Sequence, residues 1–188
     1  MANMTKKILA ASLKKQLAAR PLDKITIQDL VNDAQVSRKT FYYHFQDIYD
    51  LLEWALVDEG RRVLEAHGAE AGWQEKLWNT LVYLQENRAM VLNICRSARR
   101  EDEYLERHLA QLLFPLLEQH FDTLPQAAGV AREDRQFLLD LYAYGLVKLV
   151  LLWICEGMKP AAEQFMLRIH RLFDGSMEDF IQRCLREA

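Results

Sequence analysis

Hydrogen-bond donors and flat rings are concentrated in one short stretch of the chain, residues 38–44. The stretch reads Arg-Lys-Thr-Phe-Tyr-Tyr-His, in which only the phenylalanine lacks a donor. Cationic, hydroxyl and imidazole donors at this density suit the phosphates and base edges of a nucleic acid. The sequence shows no Ser-His-Asp set, carboxylate pair, glycine-rich phosphate loop or metal-ligand spacing of His and Cys. We therefore expect a binding protein that is not an enzyme and needs no metal or cofactor.

Two helices are predicted ahead of this stretch. The first spans residues 5–19 and places Leu9, Leu13 and Leu17 on one stripe. The second begins after Thr26, and Asp29 stands three residues later, as in a capping box. About two turns of helix follow before a short turn leads into the donor-rich stretch.

Residues 38–44 are themselves predicted to form a third helix. Ser37 is a favourable N-cap, and Val36 and Phe41 occupy the two positions of a hydrophobic staple. Phe41 and Phe45 would face the interior, which leaves the donors outside. Two short helices, a tight turn and polar residues at the start of the second helix are typical of a helix-turn-helix, whose second helix enters the major groove of DNA.

The charge distribution agrees with a DNA-binding N-terminus. Residues 1–46 hold eight Lys and Arg against three Asp, a net of +5, while the other residues carry −8. The whole-chain value of −3 hides this division. A locally positive surface attracts phosphate even when the complete protein is acidic.

Residues 26–52 resemble the DNA-binding domain of the TetR family. The likeness is carried by Thr-Phe-Tyr-Tyr-His-Phe at 40–45 and by Asp-Ile-Tyr-Asp-Leu-Leu at 47–52. It implies an all-α fold of about nine helices, with a helix-turn-helix domain at 1–46 and a helical effector-binding and dimerisation domain at 47–188. It also implies a repressor that binds a near-palindromic operator as a homodimer and responds to a small-molecule effector.

The resemblance assigns contacts with double-stranded operator DNA by position. Arg38 and Lys39 suit guanine, and Thr40 suits a base edge or a thymine methyl. Lys6 and Lys7 would add unspecific attraction to phosphates. The other expected DNA contacts are Thr26, Ser37, Tyr42, Tyr43 and His44.

Two positions depart from the family pattern. Gln35 stands in the turn where glycine is frequent. Either this residue adopts a left-handed conformation at a cost of about 1 kcal/mol, or the turn differs. Gln46 stands where many relatives place a phosphate-binding lysine. DNA binding is then either weaker or more dependent on Arg38 and Lys39.

The C-terminal part also has a helical pattern. Segments 47–66, 73–86, 88–98, 101–121, 133–157 and 161–186 are predicted helices, with a kink expected at Pro115. The helix at 133–157 is apolar nearly all round, so it must meet both its own domain and a partner subunit. In the TetR family the last two helices form a four-helix bundle across a two-fold axis. The expected interface residues are Leu138, Leu141, Gly145, Leu149, Leu152, Trp153, Phe173 and Phe180.

An effector pocket is expected on helices four to eight. Large or polarisable residues there are the candidates, although each alone is more often core than ligand contact: Trp54, Trp78, Tyr83, Cys95, Tyr104, Phe114 and Tyr142. Residues 142–157 also resemble, less specifically, a regulator subgroup that includes activators of dihydroxyacetone kinase genes. No effector follows from that likeness.

A cytoplasmic location is expected. The first residues lack the basic start and apolar stretch of a secretory signal. The three cysteines are odd in number and far apart, so we expect them to be reduced and buried. The apolar run Leu141 to Cys155 contains Lys148 and falls short of the roughly 20 residues that span a bilayer, so no membrane partner is expected.

Two further function classes stay open. An adaptor or co-activator with the same fold would bind another regulator protein and would not use its helix-turn-helix to bind DNA. A helical small-molecule carrier or enzyme would show a bound cofactor or turnover. A DNA shift assay with the gene's own upstream region separates these classes from a DNA-binding regulator.

Overall fold

The computed structural model describes residues 2–65, 72–97 and 103–187, with side chains described for 3–65, 72–94 and 106–186. Helices and two short 3-10 turns make up the regular structure of these residues, and no strand occurs among them, which confirms the all-α fold. The α-helices are α1 (Ala2–Leu17), α2 (Ile27–Asp33), α3 (Arg38–His44), α4 (Ile48–Glu65), α5 (Trp73–Glu86), α6 (Arg88–Ser97), α7 (Glu103–Thr123), α8 (Arg132–Cys155), α9 (Ala162–Phe173) and α10 (Ser176–Glu187).

Helices α1, α2 and α3 form an N-terminal head around a small apolar core. Leu9, Leu13 and Leu17 of α1 are buried, as their spacing predicts. The same core contains Leu30 of α2 and Phe41 of α3, and α1 contacts both of these helices. The donor-rich face of α3 is thereby left on the outside of the head.

Helix α4 joins this head to the body, which comprises α4–α10. Leu51 and Leu52 are buried near the start of α4, and Val63 and Leu64 near its end. The helix contacts α1 of the head as well as α5 and α7 of the body. The head is therefore attached along a helix that is also part of the body's core.

Helix α8 is the longest of the described helices, and it pairs extensively with α7. It begins at Arg132, well before Leu141, and by length and composition it is long enough to cross a membrane. The expectation concerns the shorter run Leu141 to Cys155, and the helix that contains this run is longer. One such helix is weak evidence of a membrane span, because the core helix of a soluble protein meets the same criterion. Its Lys148 forms an ion pair with Glu106 of α7.

The predicted final helix at 161–186 is divided into α9 and α10. Gly175 has a φ of +71°, in the left-handed region that an α-helix does not use. Helix α9 therefore ends at Phe173 and α10 begins at Ser176. The prediction was wrong here because a single glycine within an apolar periodicity does not reveal its backbone conformation.

One cysteine expectation is also corrected. Cys155 at the end of α8 is exposed and disulfide-bonded, not buried and reduced. Cys184 on α10 is half-buried. The Cys95 side chain lies outside the part of the chain whose side chains are described.

Candidate nucleic-acid interface

The start of α3 is fixed by its cap. The backbone amide of Thr40 donates to Oγ of Ser37 over 3.0 Å, and the two hydroxyls are 2.8 Å apart. Below them Phe41 and Phe45 are 0% and 3% exposed. The predicted N-cap is confirmed, and the two buried rings anchor the helix so that its outer face is held in one orientation.

The outer face of α3 carries most of the residues expected to contact DNA. Arg38, Lys39, Tyr42 and Tyr43 are exposed, Tyr43 to 81%. Thr40 and His44 are half-buried. The exposed set therefore consists of two cations and two phenols, which together offer donors for phosphates and base edges.

Arg38 is held in place by its neighbour one helical turn away. Its guanidinium carbon lies 5.8 Å from the centre of the Tyr42 ring, and Nη2 donates to the Tyr42 hydroxyl at 3.4 Å. A planar guanidinium supported by an aromatic ring loses less freedom when it pairs with a base. Its other nitrogens keep their capacity to donate.

Helix α2 begins with the capping box that the sequence predicts. The Asp29 amide donates to Oγ1 of Thr26 at 3.1 Å, and the Thr26 amide donates to the Asp29 carboxylate at 3.0 Å. Hydrogen bonds from the backbone and hydroxyl of Thr26 lower the pKa of Asp29, and Arg20 at 3.0 Å lowers it further. Thr26 itself is exposed at the start of α2, where a phosphate would meet the helix N-terminus.

The turn between α2 and α3 contains Gln35, which stands where glycine is frequent in the family pattern. Gln35 has a φ of +55°, which confirms the left-handed alternative. After it the Val36 amide donates to the Val31 carbonyl at 3.0 Å and closes α2. The turn therefore keeps the geometry that glycine would supply, with a side chain added.

Three further residues near the head bear on DNA binding. Lys7 is exposed, whereas the Lys6 ammonium lies 5.2 Å and 5.6 Å from the ring centres of Phe45 and Trp54. Gln46 is exposed, and its amide donates to the carboxylate of Asp50 at 2.9 Å. Lys6 thus packs on aromatic rings, and Gln46 leaves no cation at the start of α4.

An apolar cavity lies in the body between α4, α5, α7 and α8, with a volume of about 150 Å³. Glu59 and Tyr83 are its polar side chains, and its other lining residues are Gly, Leu, Val and Ile. Of the expected effector contacts whose side chains are described, the structure brings only Tyr83 to this cavity. Trp54 packs on Phe45 instead, with ring centres 6.1 Å apart.

The other expected effector contacts lie elsewhere. Tyr142 packs on Phe173, with ring centres 4.6 Å apart, and its hydroxyl is hydrogen-bonded to that of Ser176. Trp78 and Phe114 are half-buried against the core. The side chains of Cys95 and Tyr104 lie outside the described part of the chain.

Sequence reasoning missed the polar contact beside the cavity. Lys14 of α1 donates to Glu59 at 3.0 Å and to the Tyr83 hydroxyl at 2.7 Å, and Arg62 also pairs with Glu59. Burial alone would raise the pKa of Glu59, but hydrogen bonds from Arg62, Tyr83 and Lys14 lower it to about 2. Burial raises the pKa of Tyr83, which keeps the phenol neutral. The positions are far apart in sequence, so no local pattern could have indicated them.

A second, wider apolar depression runs between α8 and α10, with a volume of about 600 Å³. Six of the eight residues expected at a subunit interface line it: Leu138, Leu141, Gly145, Leu149, Phe173 and Phe180. Leu141 in this lining is 57% exposed, and Leu152, which lies outside the lining, is 48% exposed. The depression therefore collects apolar side chains that one chain leaves in contact with water.

Sequence models of two families match the chain. Residues 8–55 match bacterial regulatory proteins of the tetR family, and residues 72–175 match a transcriptional regulator C-terminal region. The second match covers more than half of the 188 residues. The chain belongs to the TetR family.

A curated relative of this TetR-family regulator is the HTH-type dhaKLM operon transcriptional activator DhaS of Lactococcus lactis subsp. lactis (strain IL1403). The two are 31% identical over 84 residues, which is 45% of this chain and 45% of the relative. The chain thus matches less than half the length of that activator. The match agrees with the subgroup resemblance found in the sequence.

Solved structures show the same fold over nearly the whole chain. The dihydroxyacetone kinase operon activator DhaS superposes with a TM-score of 0.70 at 21% identity, covering 94% of this chain and 97% of that one. A TetR transcriptional regulator from Rhodococcus sp. RHA1 superposes with a TM-score of 0.61 at 16% identity, covering 94% and 99%. At these identities the likeness concerns the fold. The two solved proteins are described as an operon activator and a transcriptional regulator.

One residue of this TetR-family regulator that was expected at the interface lies inside the chain. Trp153, expected at the interface, is 2% exposed, donates from Nε1 to the Pro160 carbonyl at 2.7 Å and stacks on Phe165. It therefore belongs to the chain's own core and not to an outer face.

Within the described ranges no three His, Cys, Asp or Glu side chains are grouped to hold a metal ion.

Proposed function

We propose that this regulator binds a near-palindromic operator as a homodimer and that a small molecule controls the binding. The observation that carries the proposal is the outer face of α3, where exposed cations and phenols stand on a helix anchored by Phe41 and Phe45. Such a short, rigid helix suits the major groove. Residues 1–46 would be the reading unit and 47–188 the effector and dimer unit.

Each residue of the α3 face has a role that follows from its donors. Arg38 and Lys39 pair with O6 and N7 of guanine, and Thr40 meets a base edge. Tyr42, Tyr43 and His44 bind phosphates, together with Thr26 and Ser37 at the two helix starts and Lys6 and Lys7 of α1. Lys6 contributes less because its ammonium already lies over two rings.

The homodimer is supported by the apolar depression between α8 and α10. A Cβ added to Gly145 would meet no atom within 4 Å, so α8 has room for the backbone of a second copy. Burial of Leu141 and Leu152 against that copy removes apolar surface from water. Two heads then reach successive major grooves, roughly 34–36 Å apart.

The cavity between α4, α5, α7 and α8 supports control by a compact, uncharged molecule. An apolar cavity of roughly 150 Å³ holds a molecule of benzene-like size. Glu59 is already paired, so the cavity offers a charged ligand no unpaired counter-charge. Occupancy shifts α4 and with it the head spacing, so effector addition lowers operator affinity. As for location, the regulator works in the cytoplasm, where operator DNA is accessible to it.

Activation instead of repression is the second candidate. Both DhaS matches are described as activators, one of them over nearly the whole chain. An activator would keep the α3 contacts with DNA but would increase transcription of the neighbouring gene when it is bound. An adaptor that binds another regulator protein would leave α3 unused.

A DNA shift assay with the gene's own upstream region tests the proposal. Arg38→Ala and Lys39→Ala should each weaken specific binding by about 1–3 kcal/mol if they make bidentate contacts with guanine. Tyr42→Phe should weaken specific binding less than either of these substitutions, because a contact with a phosphate does not discriminate between bases. Lys24→Ala is the matched control, since it removes one exposed charge of the same head outside α3.

The possible results separate the candidates. Equal losses in Arg38→Ala, Lys39→Ala and Lys24→Ala would mean that only overall charge matters and that α3 does not read bases. A protein that ignores every duplex at low salt would favour the adaptor. Reporter expression in a deletion strain then distinguishes repressor from activator.

A further inference from the structure

The contact of Lys14 with Glu59 and Tyr83 joins the head to the body beside the apolar cavity. Lys14 belongs to α1, Glu59 to α4 and Tyr83 to α5. The Lys14 ammonium lies 3.0 Å from the Glu59 carboxylate and 2.7 Å from the Tyr83 hydroxyl. One cation of the head is therefore shared between two helices of the body.

The electrostatics hold this contact closed in the structure. Burial works against the charge of Lys14, but the hydrogen bonds to Tyr83 and Glu59 outweigh it and raise the pKa of the ammonium. Glu59, with a pKa of about 2, stays ionised at neutral pH. Tyr83 accepts from Lys14 while its own hydroxyl is hydrogen-bonded to Glu59. The three groups thus satisfy one another, with Arg62 as a further partner of Glu59, and loss of either Lys14 or Tyr83 removes a contact between head and body.

The same two body residues form the polar part of the cavity wall. Glu59 and Tyr83 line the cavity, whereas Lys14 is not among its lining residues. Glu59 and Tyr83 are the polar side chains that a molecule in the cavity can contact. Any shift of either side chain changes the acceptors available to Lys14, with no need for the molecule to reach the head.

We propose that the Lys14–Glu59–Tyr83 contact is the latch through which cavity occupancy reaches the DNA-reading head. When closed, the latch holds α1, and with it α2 and α3, in the operator-binding position. A ligand that displaces Tyr83 opens the latch and lowers operator affinity. The inference rests on the proposed function, since it assumes that the head reads an operator.

Two substitutions open the latch from opposite sides. Tyr83→Phe removes only the hydroxyl and keeps the ring in the cavity wall, and Lys14→Met removes the ammonium from the head. The matched control is Lys15→Met, which removes a neighbouring charge of α1 whose partner, Asp33, lies within the head at 2.5 Å. Operator affinity is measured with the upstream duplex, and hydrogen exchange of α1 amides is measured without DNA.

Opening the latch should weaken operator binding by about fivefold to tenfold in both variants. The double variant should be no weaker than Lys14→Met alone, because that substitution already removes the contact with Tyr83 as well as the one with Glu59. The α1 amides should exchange faster in both variants. Lys15→Met should change affinity less than twofold and leave exchange as in the wild type.

The two readouts keep the two proposals apart. If Tyr83→Phe and Lys14→Met match Lys15→Met in affinity and exchange, the latch is overturned while DNA binding by the wild type stands. If the wild type binds no duplex, the proposed function fails. Faster α1 exchange in Tyr83→Phe would then still support the latch between head and body.

Discussion

Helices α3 and α8 carry two exposed surfaces of this TetR-family regulator, and the two surfaces differ in chemistry. The surface of α3 is polar, and its side chains have local support, as Arg38 has from Tyr42. The surface of α8 is apolar, with Leu141 more than half exposed in the single chain. Water solvates the first surface well, whereas the second gains free energy only when another protein surface covers it.

On the proposed function, the two surfaces differ in how many chains they need. The α3 face would act from one chain, because DNA supplies the phosphates and base edges that its donors need. The α8 face would be covered only in the proposed homodimer, by a second copy. Operator affinity then depends on residues of α8 that never touch DNA, because pairing of the bodies makes the second head's binding intramolecular.

The largest effect is expected from Leu141→Arg. A charge in the middle of the α8 face would have to be buried in the homodimer without a partner, so the variant should be monomeric. Loss of the linked second head should reduce operator affinity by roughly 10²- to 10⁴-fold. Light scattering after gel filtration gives the mass, and titration of the upstream duplex gives the affinity.

Gln119→Arg is the control for this comparison. It introduces the same charge at an exposed position of α7 and should change neither mass nor affinity. A Leu141→Arg variant that stays dimeric would move the interface away from α8. A monomer with wild-type affinity would show that each head acts singly, and the contrast between the two surfaces would lose its functional meaning.

A smaller effect is expected at the junction of head and body, where Glu59 is ionised by its neighbours. Its pKa is lowered to about 2, so its stabilising contribution is complete above about pH 4.5 and is lost as the pH falls through about 2. Glu59→Gln should therefore be less stable than the wild type by about 2 kcal/mol at pH 7. Most of the difference should be lost by pH 2.

Urea unfolding of both proteins across this pH range measures the effect. Glu65→Gln removes a charge from an exposed position of the same helix and shows what a general charge change does. If Glu59→Gln follows the wild type in parallel from pH 7 to pH 2, the Glu59 pairs contribute no stability at the junction of head and body.

The head could be predicted from the sequence almost residue by residue because its signals are local. Thr26 and Ser37 cap their helices through amides three residues away, and the stripe of α1 repeats every four residues. The left-handed Gln35 is one of two alternatives that the family pattern leaves open, and its φ of +55° decides between them. Each of these features is decided within about one helical turn.

The body could be predicted only as a set of helices. The contacts of Lys14 with Glu59 and Tyr83 join residues separated by 45 and 69 positions, and no periodicity records such pairs. Trp153 fits an apolar interface by composition, yet it turns inward to Pro160. On a helix that is apolar all round, the sequence does not distinguish the side that meets the core from the side that meets a partner.

The smallest effect, of opposite sign, is expected at Gln35 in the head. Its φ of +55° suits glycine, so Gln35→Gly should raise the free energy of unfolding by about 0.5 kcal/mol, the strain relieved less the added freedom of the unfolded chain. Gln28→Gly makes the same replacement inside α2 and should lower stability by about 1 kcal/mol. Chemical denaturation of both variants measures the pair. If Gln35→Gly were destabilised as much as Gln28→Gly, the side chain of Gln35 would be stabilising the turn. The geometry of the head would then depend on side-chain contacts of the turn as well as on its local backbone conformation.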